Sequence, residues 1–168
     1  MGRRLTIDGK IPFGEALVAL HAERSHYSAA NDQHPTLNTN DMSVLRHMIG
    51  FLVTTDVAKA KSFFGDTLGF TKLTEDPYGM TFDANGTKLR VVKAEKFVAA
   101  QGTVLGWEVQ DMPAAIHELN AQGVRFEHYN LPYMKQDALG IWLTPNGDEV
   151  AWFKDPEGNV LSISKHPH

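Results

Sequence analysis

Apolar and polar residues alternate along this chain in two rhythms, and the change from one to the other recurs. Residues 47–55, His-Met-Ile-Gly-Phe-Leu-Val-Thr-Thr, read as a strand rich in β-branched and aromatic side chains. Asp56 follows at a position suited to accept the free amides of a first helical turn. Val57, Ala60, Lys61, Phe64 and Leu68 then recur at helical spacing, and Gly69 closes the helix where a left-handed residue is least costly. Strand-like runs come next at 70–74, 80–83 and 88–93, the last two joined by the hairpin signal Asn85-Gly86.

The same order then returns. Residues 103–110 predict a strand, Asp111 a helix cap, and Pro113 is tolerated in the first turn. Ala115, Ile116 and Leu119 give the helical stripe and Gly123 the stop. Three further strands are expected at 124–129, 149–153 and 160–164. The two capping aspartates lie 55 residues apart, and each glycine follows its aspartate by 13 and 12 residues respectively. Two βαβββ units in that order are an internal duplication. The last two strands flank Asp155-Pro156-Glu157-Gly158-Asn159, a tight turn between apolar runs.

Residues 1–43 follow neither unit. Asp8-Gly9 suits a small hairpin over 5–11, and 15–30 has helical composition with Leu17, Leu20, His21 and Arg24 on one face. Residues 31–41 are polar, contain His34-Pro35 and read as a linker. His21 and His26 are five apart, which is not the spacing of a metal pair on a helix.

Composition narrows the function classes. With 168 residues, 42% hydrophobic and 21% charged, the chain has about one globular domain's worth of core. A net charge of −4 without a basic run argues against nucleic acid. No apolar run approaches the ~20 residues of a membrane span. The paired Arg3-Arg4 lack the apolar stretch of a secretory signal behind them. Cysteine is absent, which excludes disulfides and thiol chemistry and fits a cytoplasmic protein.

Residues 47–166 resemble the vicinal oxygen chelate superfamily, which includes glyoxalase I, bleomycin-resistance proteins and extradiol dioxygenases. The resemblance is carried by Ile49-Gly-Phe-Leu-Val-Thr-Thr-Asp56, by Val104-Leu-Gly-Trp-Glu-Val-Gln-Asp111, and by the ending Ala151-Trp-Phe-Lys-Asp-Pro-Glu-Gly-Asn159. It implies an α+β fold in which two βαβββ modules form an incomplete barrel around a central cleft, with the helices outside. The domain would cover residues 44–168, with module one at about 47–97, module two at about 103–166, and residues 1–43 as an N-terminal extension. It also implies a homodimer. Strand alternation then points His47, Ile49, Phe51 and Val53, and in the fifth strand Val104, Gly106 and Glu108, toward the cleft. Val160, Ser162 and Ser164 take the same side in the last strand.

Metal-dependent members of that superfamily bind a divalent ion through His, Gln or Glu on the first, fourth, fifth and eighth strands. Matched by motif, three of those positions here are Ile49, Val104 and Ser162, and the fourth strand, 88–93, contains no carboxylate, imidazole or carboxamide. No metal is therefore expected at the family's usual place. His47, Glu108 and His128 are the donors from which a displaced site for Fe, Mn, Ni or Zn would have to be built.

Without a metal, the expectation is a small-molecule binding protein that uses the cleft, similar to the bleomycin-resistance members. The alternative is a lyase, isomerase or dioxygenase working through displaced ligands or through Glu108 and His128 as acid and base. The polar ligand-binding candidates are His47, Arg90, Glu108 and His128, and the flat ones are Phe51, Tyr133 and Trp152, although Trp107 and Trp152 are expected in the core before the cleft. Glu108, in a strand of Gly, Trp and Val, needs Arg90, a lysine, a tyrosine hydroxyl, a cationic ligand or water beside it. The long stretch 130–140, with Pro132-Tyr133-Met134, is either a lid or a loop packed on its own module.

Overall fold

β1 (Ile49–Thr54) forms where the first apolar alternation begins, and its burial follows the pleat: Leu52 and Thr54 are buried while Ile49 and Phe51 are exposed. The coordinates are a computed structural model and describe residues 46–167. The hairpin, helix and linker expected over 5–41 lie outside those residues. The chain divides into two units, Met1–Arg46 and His47–His168, and every helix and strand among the described residues belongs to the second.

Asp56 caps α1 (Val57–Lys61) by accepting from the Lys59 amide at 3.1 Å. The helix then widens into a π turn at Ser62–Thr67, in which the Leu68 amide reaches the Phe63 carbonyl. Phe64 is buried there and meets Phe63 edge-on, with ring centroids 5.1 Å apart. Gly69 stops the run at φ +72°. β2 (Thr71–Asp76), β3 (Gly79–Ala84) and β4 (Thr87–Lys93) follow, and β3 turns into β4 through Asn85 and Gly86, both at positive φ as a two-residue hairpin requires. The sheet order is β1-β4-β3-β2, with β1 parallel to β4 and Phe51 paired with Arg90.

The second module repeats the plan. β5 (Thr103–Glu108) leads to α2 (Met112–Ala121), capped by Asp111 through the Ala114 amide at 3.0 Å. β7 (Glu149–Lys154) and β8 (Val160–Lys165) form the closing hairpin, and the order β5-β8-β7-β6 matches that of the first sheet. The strand expected at 124–129 is not formed as such. Phe126 makes a single bridge to Phe153, and among the described residues the regular outer strand on β7 is β6 (Trp142–Leu143), paired with Val150 and Glu149. Two short pieces of chain thus share the edge of β7. Gly123, at φ +95°, delivers residues 124–127 to one end of that edge, and the Gln136 bridge to Trp142 delivers the chain to the other.

One apolar core joins the modules. Phe64, Phe82, Leu89 and Val91 from the first and Met112, Ile116, Phe153 and Leu161 from the second are at most 2% exposed. Phe70 and Trp107 pack across the join with centroids 5.6 Å apart, so Trp107 lies on the core side as strand parity predicts. Among the described residues no helix is long and apolar enough to cross a membrane.

Candidate functional site

The face of each sheet away from the core carries the chemistry. On the first sheet it presents Ile49, Phe51 and Val53 from β1, Arg90 from β4 and Thr81 from β3, as the register dictates. On the second it presents Val104, Gly106 and Glu108 from β5, Ser162 and Ser164 from β8, and Val150 and Trp152 from β7.

Arg90 is buried, and its guanidinium is engaged within its own sheet. Nη2 donates to Asp76 Oδ2 at 2.6 Å and Nη1 to Thr81 Oγ1 at 3.3 Å, while Nε is buried without a partner. It does not serve Glu108, which is exposed and meets no side chain in an ion pair or hydrogen bond among the described residues.

Between the two modules lies a depression of about 250 Å³ lined by Phe51, Val53, Phe97, Val98, Val104 and Asn159. It is apolar apart from Asn159, whose side-chain amide donates to Asp155 Oδ2 at 2.8 Å. Of the seven expected ligand-binding residues only Phe51 lines it. Phe97 and Val98, on the connection between modules, complete the wall; sequence periodicity gave no signal for them because they lie in neither a strand nor a helix.

Trp152 stands at the centre of a second patch. Its indole stacks on Trp142 at 6.1 Å, meets Tyr129 edge-on at 5.7 Å, and donates from Nε1 to Thr103 Oγ1 at 2.9 Å. Burial, and then the charge of Glu127, raise the Tyr129 phenol above its ordinary value. Trp142 and Tyr129 are partners that sequence reasoning did not single out. Trp142 is legible in hindsight as an aromatic just after the Gly140 turn, opposite a strand of the same pattern.

His47, His128 and Tyr133 are exposed, the last 74% so. Among the described residues no three His, Asp or Glu side chains converge as a metal site requires, and His47, Glu108 and His128 therefore do not form one. The family's own ligand positions hold Ile49 and Val104, both exposed, and Ser162, buried opposite Gly106. A Cβ on Gly106 would stand 2.5 Å from the Ser162 hydroxyl, so only glycine leaves that oxygen its space. Two hydrocarbons and a single neutral hydroxyl do not fit a divalent ion.

The 130–140 stretch folds on its own module. Gln136 accepts from the Tyr129 amide at 2.6 Å and donates to the Glu127 carbonyl at 3.0 Å and the Gly140 carbonyl at 2.6 Å. Asp137 accepts from the Leu139 and Ile141 amides, both at 2.9 Å. A partly exposed seam also ties the modules together. Glu157 accepts from the Thr54 hydroxyl at 2.9 Å and from the Thr55 and Asp56 amides at 2.6 and 3.1 Å.

A family model described as Glyoxalase/Bleomycin resistance protein/Dioxygenase superfamily matches residues 44–163. Among solved structures, the chain is similar to a glyoxalase/bleomycin resistance protein/dioxygenase from Alicyclobacillus acidocaldarius, with 17% identity, TM-score 0.57, and coverage of 73% of this chain and 92% of that one. It is similar to a superfamily member from Sphaerobacter thermophilus DSM 20745 at 23% identity and TM-score 0.56, covering 73% and 98% of the two chains. It is also similar to a lactoylglutathione lyase from Agrobacterium tumefaciens at 19% identity and TM-score 0.53, covering 71% and 92%. At these identities the likenesses speak to fold alone. No curated protein matches the chain in sequence.

Proposed function

We propose, from the premise that this chain belongs to the Glyoxalase/Bleomycin resistance protein/Dioxygenase superfamily, that it binds a small molecule in its cleft without a metal. One observation carries this reading: Ile49, Val104 and Ser162 occupy the positions from which a metal-dependent member extends its ligands. What the cleft faces offer instead is apolar and aromatic surface. Phe51 is 49% exposed, Val104 38% and Val98 91%, and Trp142 and Trp152 form a stacked pair. Glu108 presents an exposed carboxylate on the same face of the second sheet.

Flat apolar walls with one carboxylate select a flat molecule that carries positive charge. Aromatic faces attract cations, and a carboxylate of opposite sign fixes their orientation. At about 250 Å³ the depression between the modules is smaller than the ~300–1,000 Å³ of drug-sized pockets, so it suits one ring system rather than an extended substrate.

The test uses protein purified without a histidine tag. Elemental analysis is expected to find no stoichiometric transition ion. Titration with a planar cationic dye is expected to quench tryptophan fluorescence equally with and without chelator. Phe51→Ala should weaken that binding about tenfold, in line with the ~1.4 kcal/mol of a single lost aromatic contact. One tightly held ion per chain, or quenching abolished by chelator, would overturn the reading.

A further inference from the structure

Ser164, His166 and Asp148 form a hydrogen-bonded chain on the cleft side of the second sheet. Ser164 Oγ lies 3.2 Å from His166 Nε2, and His166 Nδ1 lies 2.8 Å from Asp148 Oδ1. The carboxylate can only accept, so the neutral ring carries its proton on Nδ1 and leaves Nε2 to accept from the serine hydroxyl. Asp148 is held in turn by Thr144, whose hydroxyl donates to Oδ2 at 3.3 Å and accepts from the Asp148 amide at 3.0 Å. A nucleophile, a base within reach of it and a third group orienting the base are the parts that activate a serine.

The strands explain why these three meet. Ser164 and His166 are two apart at the end of β8 and share a face. Val150 pairs with Ser164 and Glu149 with Lys165, so the same antiparallel ladder sets Asp148 opposite His166. Glu108 pairs with Ser164 across β5, which places a second carboxylate beside the hydroxyl.

We propose that Ser164 is an activated nucleophile that accepts an acyl group from activated esters, with His166 as its base and Asp148 as a positioning residue. Ser164 Oγ attacks the ester carbonyl carbon while its proton passes to His166 Nε2. A new Oγ–C bond forms, the ester C–O bond breaks, and the alcohol leaves with the proton from His166. Water then repeats the sequence and releases the acid. Ser164 lies on a strand flanked on both sides, so the ladder occupies its backbone and no amide pair stands ready for the oxyanion. The substrate class is thereby restricted to esters with good leaving groups, such as aryl esters. The Glu108 carboxylate further favours a cationic alcohol or acyl portion over an anionic one.

The experiment treats the full chain with a fluorophosphonate probe and maps the adduct by peptide mass spectrometry. The expected result is an adduct on Ser164, formed with loss of fluoride, and absent in Ser164→Ala. His166→Gln should slow labelling about a hundredfold, the low end of what general-base assistance contributes. Asp148→Asn should slow it too, and Asp148→Glu should recover part of the rate, which a merely structural role would not produce. The site labelled in the unsubstituted protein decides the question even if a variant fails to fold. No adduct on Ser164, or an unchanged rate in folded His166→Gln, would overturn the proposal. Dye binding is read separately, so a failure here leaves the cleft-binding reading standing.

Discussion

Arg90 and Asp76 meet at 2.6 Å on the cleft face of the first sheet, where their side chains are 6% and 21% exposed. The pair lies between strands that share a sheet, since β2 carries the acid and β4 the base. Removing one partner leaves an uncompensated buried charge, whereas removing both need not. Asp76→Ala is therefore expected to cost about 3–5 kcal/mol, and Arg90→Met with Asp76→Leu much less. Urea unfolding of the singles and the double closes the cycle; a double variant as unstable as Asp76→Ala would refute the argument.

Glu157 ties the turn of the closing hairpin to the end of β1. Burial opposes its ionisation, but the Thr55 amide and the Thr54 and Thr55 hydroxyls outweigh burial and hold the carboxyl below its ordinary value. Each bond to an ionised group is worth about 1.5–3 kcal/mol at best, and partial exposure reduces that. Glu157→Gln is expected to lower stability by about 1–2 kcal/mol at neutral pH, measured as a shift in urea midpoint.

The same carboxylate gives a pH dependence of known sign. Its folded value is depressed, so its stabilisation is fully present above the unfolded value of about 4.3 and is lost as pH falls through the lower folded value. Asp155 acts the other way. Burial raises its carboxyl despite the Asn159 bonds, so the folded state holds that proton more tightly and loses stability as pH rises above about 3.9 toward the raised value. Urea midpoints followed from pH 2 to 6 should therefore fall less steeply on acidification in Glu157→Gln than in the unsubstituted protein.

Gln136 satisfies three backbone groups of the 127–140 segment with one side chain. Gln136→Ala is expected to release residues 129–140 while leaving the sheets intact. Hydrogen exchange should then accelerate at the Tyr129 amide, one of those three groups, and remain unchanged in β3 and β4. Uniform acceleration through both modules would count against a local role.

Phe82 is fully buried and packs on Phe64, with centroids 5.9 Å apart. Phe82→Ala is expected to cost about 3–5 kcal/mol. Calorimetry that found a single transition shifted downward would fit the shared core, whereas two separate transitions would show that the modules unfold independently.

Much of the fold was readable from short-range chemistry. Asp56 with Gly69 and Asp111 with Gly123 mark helix ends through groups only a few residues away, and the pleat sorted Leu52 from Phe51 without any knowledge of partners. The strand expected at 124–129 failed because its propensity was real but its place on β7 is shared with Trp142. Strand parity sets Glu108 on the face away from the core, yet Arg90 is committed to Asp76, a choice that depends on register 14 residues away. The Glu157 contacts span 101 to 103 residues, and nothing local announces them. Ser164 and His166 did leave a signal, since residues two apart on a strand share a face, but Asp148 joins them only once the hairpin pairs.

The distance in sequence between β1 and the carboxylate that secures it has a consequence during synthesis. At 5–20 residues per second, the 102 residues from Thr55 to Glu157 take roughly 5–20 s to translate. Through that interval the first sheet can assemble while Phe51 and the Thr55 amide await their counterparts. Nascent chains stalled before Glu157 should accordingly be more open to protease at the end of β1 than chains stalled beyond Lys165.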